Sequence, residues 1–149
     1  MKTKFKNYLF FGIFALFITS CTTEEYITEE HYHYDGSWVF SNEYIIGQGR
    51  YLWTYDPSGI YYCNIPVNEL TQAMYDDATL TGYFVHKVGN KWVDSQLPYN
   101  EFYINDKGFQ WTYEYSCEFS TGLVTFIFKD SSFFEDTPPV CTFAIKMIR

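Results

Sequence analysis

From Ser37 to Ile148 the chain runs as short apolar-patterned stretches separated by turn residues, with a break about every ten positions. That spacing is expected of a sandwich or barrel of short strands. The pattern predicts strands over Trp38–Ile46, Tyr51–Tyr55, Ile60–Val67, Leu80–Val88, Lys91–Val93, Phe102–Ile104, Phe109–Phe119, Leu123–Lys129 and Cys141–Ile148. The cleanest is Phe109–Phe119, in which Phe109, Trp111, Tyr113, Tyr115, Cys117 and Phe119 alternate with Gln110, Thr112, Glu114, Ser116 and Glu118. A period of two over that length means one buried face and one wet face. The last strand repeats it, with Cys141, Phe143, Ile145 and Met147 on one side and Thr142, Ala144 and Lys146 on the other. Such alternation favours antiparallel sheets with one solvated face.

The breaks carry turn chemistry. Asp56-Pro57-Ser58-Gly59 suits a type I turn with a following bulge, Gly89-Asn90 a two-residue hairpin, and Asn105-Asp106-Lys107-Gly108 a four-residue one. One helix is expected, from Asn68 as cap to Asp77, with Leu70, Ala73 and Met74 sharing a face. The expected fold is all-β: an antiparallel β-sandwich, immunoglobulin-like or jelly-roll-like, with one short helix.

The start of the chain follows a different rule. Lys2, Lys4 and Lys6 precede an apolar run, Leu9 to Ile18, interrupted only by Gly12. Ten helical residues span about 15 Å, half of a hydrocarbon core of roughly 30 Å, so the run is too short to cross a bilayer. Lysines before a short apolar run form a secretory signal. Ile18-Thr19-Ser20-Cys21 resembles the bacterial lipobox. There the small residues let the peptidase reach the backbone, and the thiol is the nucleophile that takes the lipid. The expectation is a signal peptide over residues 1–20 and a covalent lipid on Cys21, whose acyl chains act as a membrane anchor. Residues 21–35 then form an acidic tether with no periodic apolar face. A single domain follows over 36–149, placed in the cell envelope on the outer membrane and exposed to the surface if exported across it.

Loss of the signal removes three lysines and takes the net charge from −8 to −11. Phosphate backbones need a basic surface, so nucleic acid is not an expected partner. Anionic headgroups are disfavoured for the same reason. Of the 34 aromatic residues, 28 lie after the signal, rich in Tyr, which suits a half-buried pleated surface. Beyond Cys21 the cysteines are Cys63, Cys117 and Cys141, each on the apolar side of a strand. They read as core thiols or as one disulfide with one thiol left over. Their spacing is not that of a zinc site.

Candidate chemistry is sparse. His31 and His33 project to one side of an extended segment beside Glu29, Glu30 and Asp35, but organising a metal site on a tether costs entropy. His86 reads as a satisfied strand histidine. Glu114 and Glu118 share a strand face, yet four residues separate them by roughly 13 Å, too far for a hydrolytic pair. Asp130, Glu135 and Asp136 offer oxygen ligands without calcium-loop spacing. No nucleophile elbow, metalloprotease helix, P-loop or dinucleotide loop occurs. Neither catalysis, nor a resident metal, nor a cofactor besides the lipid on Cys21 is therefore expected. The chain's sharpest binding feature is aromatic. Trp111 alternates onto the buried face and Trp38 and Trp53 can follow it. Trp92, beside the Gly89-Asn90 turn, is expected exposed and able to stack on a sugar ring.

The stretches IYYCNIPVNELTQAMYDDATLTGYFV, Leu97-Pro98-Tyr99 and VTFIFKDSSFFEDTPPVCTFAIKMIR resemble a group of small Bacteroidetes lipoproteins of unknown function. The shared features are Ile65-Pro66, Glu69-Leu70-Thr71, Gly82-Tyr83 and a terminal strand rich in Phe, Lys and Ile, spread over most of residues 50–149. This chain has Asp77-Ala78 where members carry Gly. The resemblance implies the β fold and the lipid anchor, and no activity. Three roles stay open: an interaction or structural module engaging an envelope protein, a glycan binder using exposed aromatics, and a barrel holding an apolar ligand.

Overall fold

The computed structural model describes residues 30–34, 37–132 and 137–149, with the backbone alone for residues 30–38. In chain order the elements are β1 (Glu30–Tyr34), β2 (Ser37–Ile46), β3 (Thr54–Asp56), β4 (Ile60–Pro66), α1 (Gln72–Asp77), β5 (Thr79–Val88) and β6 (Lys91–Gln96). Then come β7 (Tyr99–Ile104), β8 (Gln110–Ser120), β9 (Leu123–Asp130) and β10 (Cys141–Ile148). They form two five-stranded antiparallel sheets, ordered β1-β2-β10-β5-β6 and β3-β4-β9-β8-β7. The expected all-β sandwich with one short helix is the architecture observed. The sheets do not close into a barrel. That removes the lumen in which an apolar ligand would sit, and the barrel reading with it.

Alternation dictates what lies between the sheets. Phe40, Tyr44 and Ile46 of β2, Phe84 of β5 and Cys141, Phe143, Ile145 and Met147 of β10 are buried on one inner face. Cys63 and Ile65 of β4, Tyr115 of β8 and Val124, Phe126 and Phe128 of β9 are buried on the other. The layers meet ring on ring. Phe126 stacks on Phe143 with centroids 4.6 Å apart, and Phe84 on Tyr115 at 4.3 Å with planes 11° apart. Gly82 of β5 faces Cys117 of β8 so closely that a Cβ there would collide with the sulfur. Cys63, Cys117 and Cys141 are all free thiols, the first of the two readings. Burial pushes their pKa values up, to about 11 for Cys63 and Cys117 and about 12 for Cys141.

Two expected turns form as written. Gly59 N donates to the Asp56 carbonyl and Ser58 N to Asp56 Oδ1, which lowers the Asp56 pKa. Val88 pairs with Lys91 across Gly89-Asn90. Other expectations shift. The helix begins three residues late, with Thr71 as cap, its Oγ1 accepting from Met74 N at 3.3 Å. Asn68 is exposed because the preceding stretch first buries Val67 and Leu70, and Leu70 N donates back to the Val67 carbonyl. Ala73, expected on the apolar face, is exposed. Glu30–Tyr34, expected as the end of the tether, pairs as β1 along β2, from Glu30 opposite Ser41 to Tyr34 opposite Ser37. Its polar composition fits an edge strand, where one side of the backbone bonds and neither face need be buried. Residues 1–29, with the signal and Cys21, lie outside the described residues.

Candidate functional site

Of the exposed aromatic side chains, Trp92, Phe102, Tyr103 and Phe109 lie on two hairpins, while Tyr55 and Tyr75 lie on β3 and α1. Phe84 over Tyr115 and Gly82 over Cys117 fix the relative height of β5 and β8. Continuing β5 upward to Val88 and tracing β8 back to Gln110 brings the β5–β6 and β7–β8 turns to the same end of the sandwich.

On the first hairpin, Val93 pairs with His86 on the inner face, so alternation turns Trp92 outward, opposite Lys87. Trp92 is 66% exposed, as its place beside the turn suggested. Lys87 Nζ lies 5.0 Å from the Trp92 ring centroid. The pattern recurs lower on the same face, where Lys146 Nζ lies 4.8 Å from the ring of Tyr83 and 3.7 Å from Asp94 Oδ2. Cation–π contacts at exposed sites contribute about 0.5–1 kcal/mol, enough to orient a side chain but not to fix it.

The second hairpin holds residues that the sequence pattern placed poorly. A four-residue turn over Asn105–Gly108 would set Ile104 opposite Phe109 on the apolar face. Instead Ile104 pairs with Gln110, making a five-residue connection. Asn105 Oδ1 holds it by accepting from Lys107 N and Phe109 N, both at 3.0 Å, while Gly108 adopts φ 80. A one-residue change of register flips every side chain. Phe102 and Ile104 therefore point outward, 81% and 64% exposed, and Tyr99, Glu101 and Tyr103 point inward. A shallow groove of about 470 Å³ runs along this tip, lined by Phe102, Ile104, Gln110, Trp111, Thr112 and Ser131. Ser131 anchors its wall, with its Oγ accepting from Thr112 N at 2.7 Å. Among the described residues no charged side chain lines it.

Trp111 is half-buried on the inner side, stacked between Tyr103 at 5.4 Å and Phe109 at 6.1 Å. Trp53 is half-buried against Phe128 and Phe143, its Nε1 donating to the Pro139 carbonyl. The Trp38 side chain lies outside the described residues. Of the tryptophans whose side chains are described, Trp92 alone offers most of its ring to solvent.

Inside this end the Glu101 carboxylate is tied into an aromatic cluster. Glu101 Oε2 accepts from Tyr103 Oη at 2.8 Å and from Tyr115 Oη at 3.1 Å. Burial, reinforced by Cys141 and Glu101, holds the Tyr115 phenol far above its ordinary range. Burial and the Glu101 bond do the same for Tyr103. His86 stacks on Phe84 and Tyr99, and its Nε2 is 2.9 Å from Ser95 Oγ, the satisfied strand histidine expected. Phenols held protonated around one carboxylate make a structural network, and beside it the Ser95 hydroxyl and the His86 imidazole stand within hydrogen-bond reach of each other.

The other sequence candidates do not converge. Glu114 binds Lys129 at 3.3 Å, and Asp130 accepts from Ser132 N and Oγ within its own turn. Glu135 and Asp136, like the side chains of His31 and His33, lie outside the described residues. Among the described residues no three His, Cys, Asp or Glu come together as metal ligands, and no helix is long and apolar enough to cross a membrane. No protein-family model, curated protein or solved structure matches the chain.

Proposed function

We propose that this chain is an exported envelope lipoprotein, anchored through lipid on Cys21, whose sandwich is a non-catalytic interaction module. It engages its partner through the end that carries the β5–β6 and β7–β8 hairpins. The observation behind this reading is the exposure at that end of Phe102 and Ile104 on the outer side of β7, and of Val88 and Trp92 on the neighbouring β5–β6 hairpin. Apolar side chains so exposed raise the free energy of the free protein in water, and a partner surface that covers them lowers it. The anchor rests on the Ile18-Thr19-Ser20-Cys21 motif behind its short apolar run.

A photo-crosslinking amino acid placed at Phe102 in intact cells tests the module. A discrete adduct from position 102, absent when the crosslinker sits at Ser120 on the opposite end of β8, supports it. Equal adducts from both positions, or none, would overturn it.

A second reading has its own observation. Trp92 presents an open indole on a flat strand surface, the geometry that stacks on the C–H face of a sugar ring, so glycan is the alternative partner.

A further inference from the structure

We propose that the outer face of β5, β6 and β10 binds an acidic oligosaccharide, with Trp92 stacking on a sugar ring and Lys87 pairing with its carboxylate. This rests on the glycan reading above and names the ligand's charge. The chain as a whole is acidic, with a net charge of −8, so a general surface of this protein repels anions. This face is the exception. After the signal only seven Lys and Arg residues remain, and Lys87 and Lys146 both stand on the outer side of these strands, with Lys91 exposed at the adjoining hairpin tip. Two carboxylates share the face: Asp94 of β6, paired with Lys146 at 3.7 Å, and Glu43 of β2, opposite Ala144. Lys87 has no carboxylate partner among the described residues; its ammonium rests over indole alone.

The chemistry follows from that pairing. A weak, exposed cation–π contact leaves Lys87 free to turn its ammonium toward an incoming carboxylate without giving up the ring edge. The ring then offers its open face to sugar C–H groups. Tyr83 and Lys146 repeat the aromatic–ammonium pair further along. Tyr83 is opposite Gln96, four residues from Trp92 on β6, so the two pairs stand roughly 13 Å apart along the strand direction. Lys146 is already engaged by Asp94, so the second pair offers an aromatic surface rather than a free cation, and the separation suits an oligosaccharide whose carboxylate sits at Lys87. Gln96 and Thr81 lie on the same outward face and supply neutral hydrogen-bonding groups for hydroxyls.

The test is calorimetric titration of the full chain, purified in detergent, with oligogalacturonate and with a neutral oligosaccharide of matched length. The expected result is binding of the acidic probe alone, weakened as salt rises. Trp92→Ala abolishes that binding, and Lys87→Gln weakens it about fivefold and flattens the salt dependence. Both side chains are exposed, so each variant keeps its melting temperature, and loss of binding is not loss of fold. Equal binding of the neutral probe overturns the acidic class and leaves the glycan reading standing. Binding of neither overturns both. Trp92-dependent binding to phosphatidylglycerol vesicles, with no sugar bound, overturns the proposal in favour of a membrane-facing hairpin.

Discussion

Gly82 sits where the two sheets come closest, and replacing it measures that contact. Its backbone cannot retreat, because β10 pairs with it on one side through Ile145 and Leu97 N donates to its carbonyl at 2.9 Å on the other. A Cβ built there strikes Cys117 Sγ in the opposite sheet and lies 3.1 Å from Leu97 Cδ1. Its φ is not in the left-handed region, so the obstacle to alanine is space alone. Overpacking of this kind costs typically about 1–3 kcal/mol. Alanine recovers roughly 0.5–1 kcal/mol by restricting the unfolded chain relative to glycine. Gly82→Ala is therefore expected to lose about 1–2 kcal/mol, a fall of roughly 4–8 °C in Tm for a domain of this size. Cys117→Ala removes the obstructing sulfur and on its own costs about 1 kcal/mol. In the double variant the new methyl takes the sulfur's space, so its stability should match Cys117→Ala alone, a coupling of about 1 kcal/mol or more. Thermal and urea unfolding of the four proteins give the cycle. A neutral Gly82→Ala, or an equal loss with and without the Cys117 sulfur, would show that the sheets are not in contact here.

The raised thiols predict a direction with pH. Folded Cys63 and Cys117 titrate near 11 and Cys141 near 12, against an unperturbed 9.0 in the unfolded chain. Below about pH 8 both states hold these protons and the thiols leave stability flat. Above pH 9 the unfolded chain loses them first, so Tm falls steadily up to about pH 12. A Tm that rose over that range would contradict the burial. The same thiols should resist a thiol reagent at pH 8 in the native chain and react in denaturant, all three together; prompt labelling of the native protein would count against it. Glu101→Leu leaves the buried Tyr115 hydroxyl without its acceptor and should cost about 1–3 kcal/mol, whereas Glu101→Gln keeps a carbonyl acceptor and costs less. Denaturant midpoints at unchanged slope compare them; equal stability of the two variants would mean that the bond to Tyr115 carries no weight.

What the sequence revealed depended on how cleanly each stretch alternates. β8 and β10 carry long runs with one polar and one apolar sublattice, and their strand bounds were readable within a residue, while Ala144, expected on the wet side, is buried and Phe109, expected on the buried side, is exposed. Trp92 was readable too, because Gly89-Asn90 fixes a tight turn and the residues next to it stay near the surface. β7 was not. In Tyr99-Asn100-Glu101-Phe102-Tyr103-Ile104 both sublattices contain large apolar groups, so the pattern chooses no face. The choice is made by the Asn105 side chain, which closes a five-residue connection and sets the register. The inward Glu101 hid the first half of that strand, since a carboxylate facing the core has no apolar signature; its two phenol donors come from its own strand and from β8. The helix start was misplaced because Asn68 and Thr71 are both good caps, and only the packing of Val67 and Leu70 selects the second. β1 escaped because an edge strand can be polar throughout.

The central claim, a binding module held at a membrane by lipid on Cys21, is tested most directly by feeding cells an alkyne-tagged fatty acid. The full chain and its Cys21→Ala variant would then be compared by click labelling and membrane fractionation. The account predicts that the tag and the membrane association appear together in the parent chain and are both lost in the variant. A variant that stays tagged, or a parent chain that takes up no tag, would contradict it.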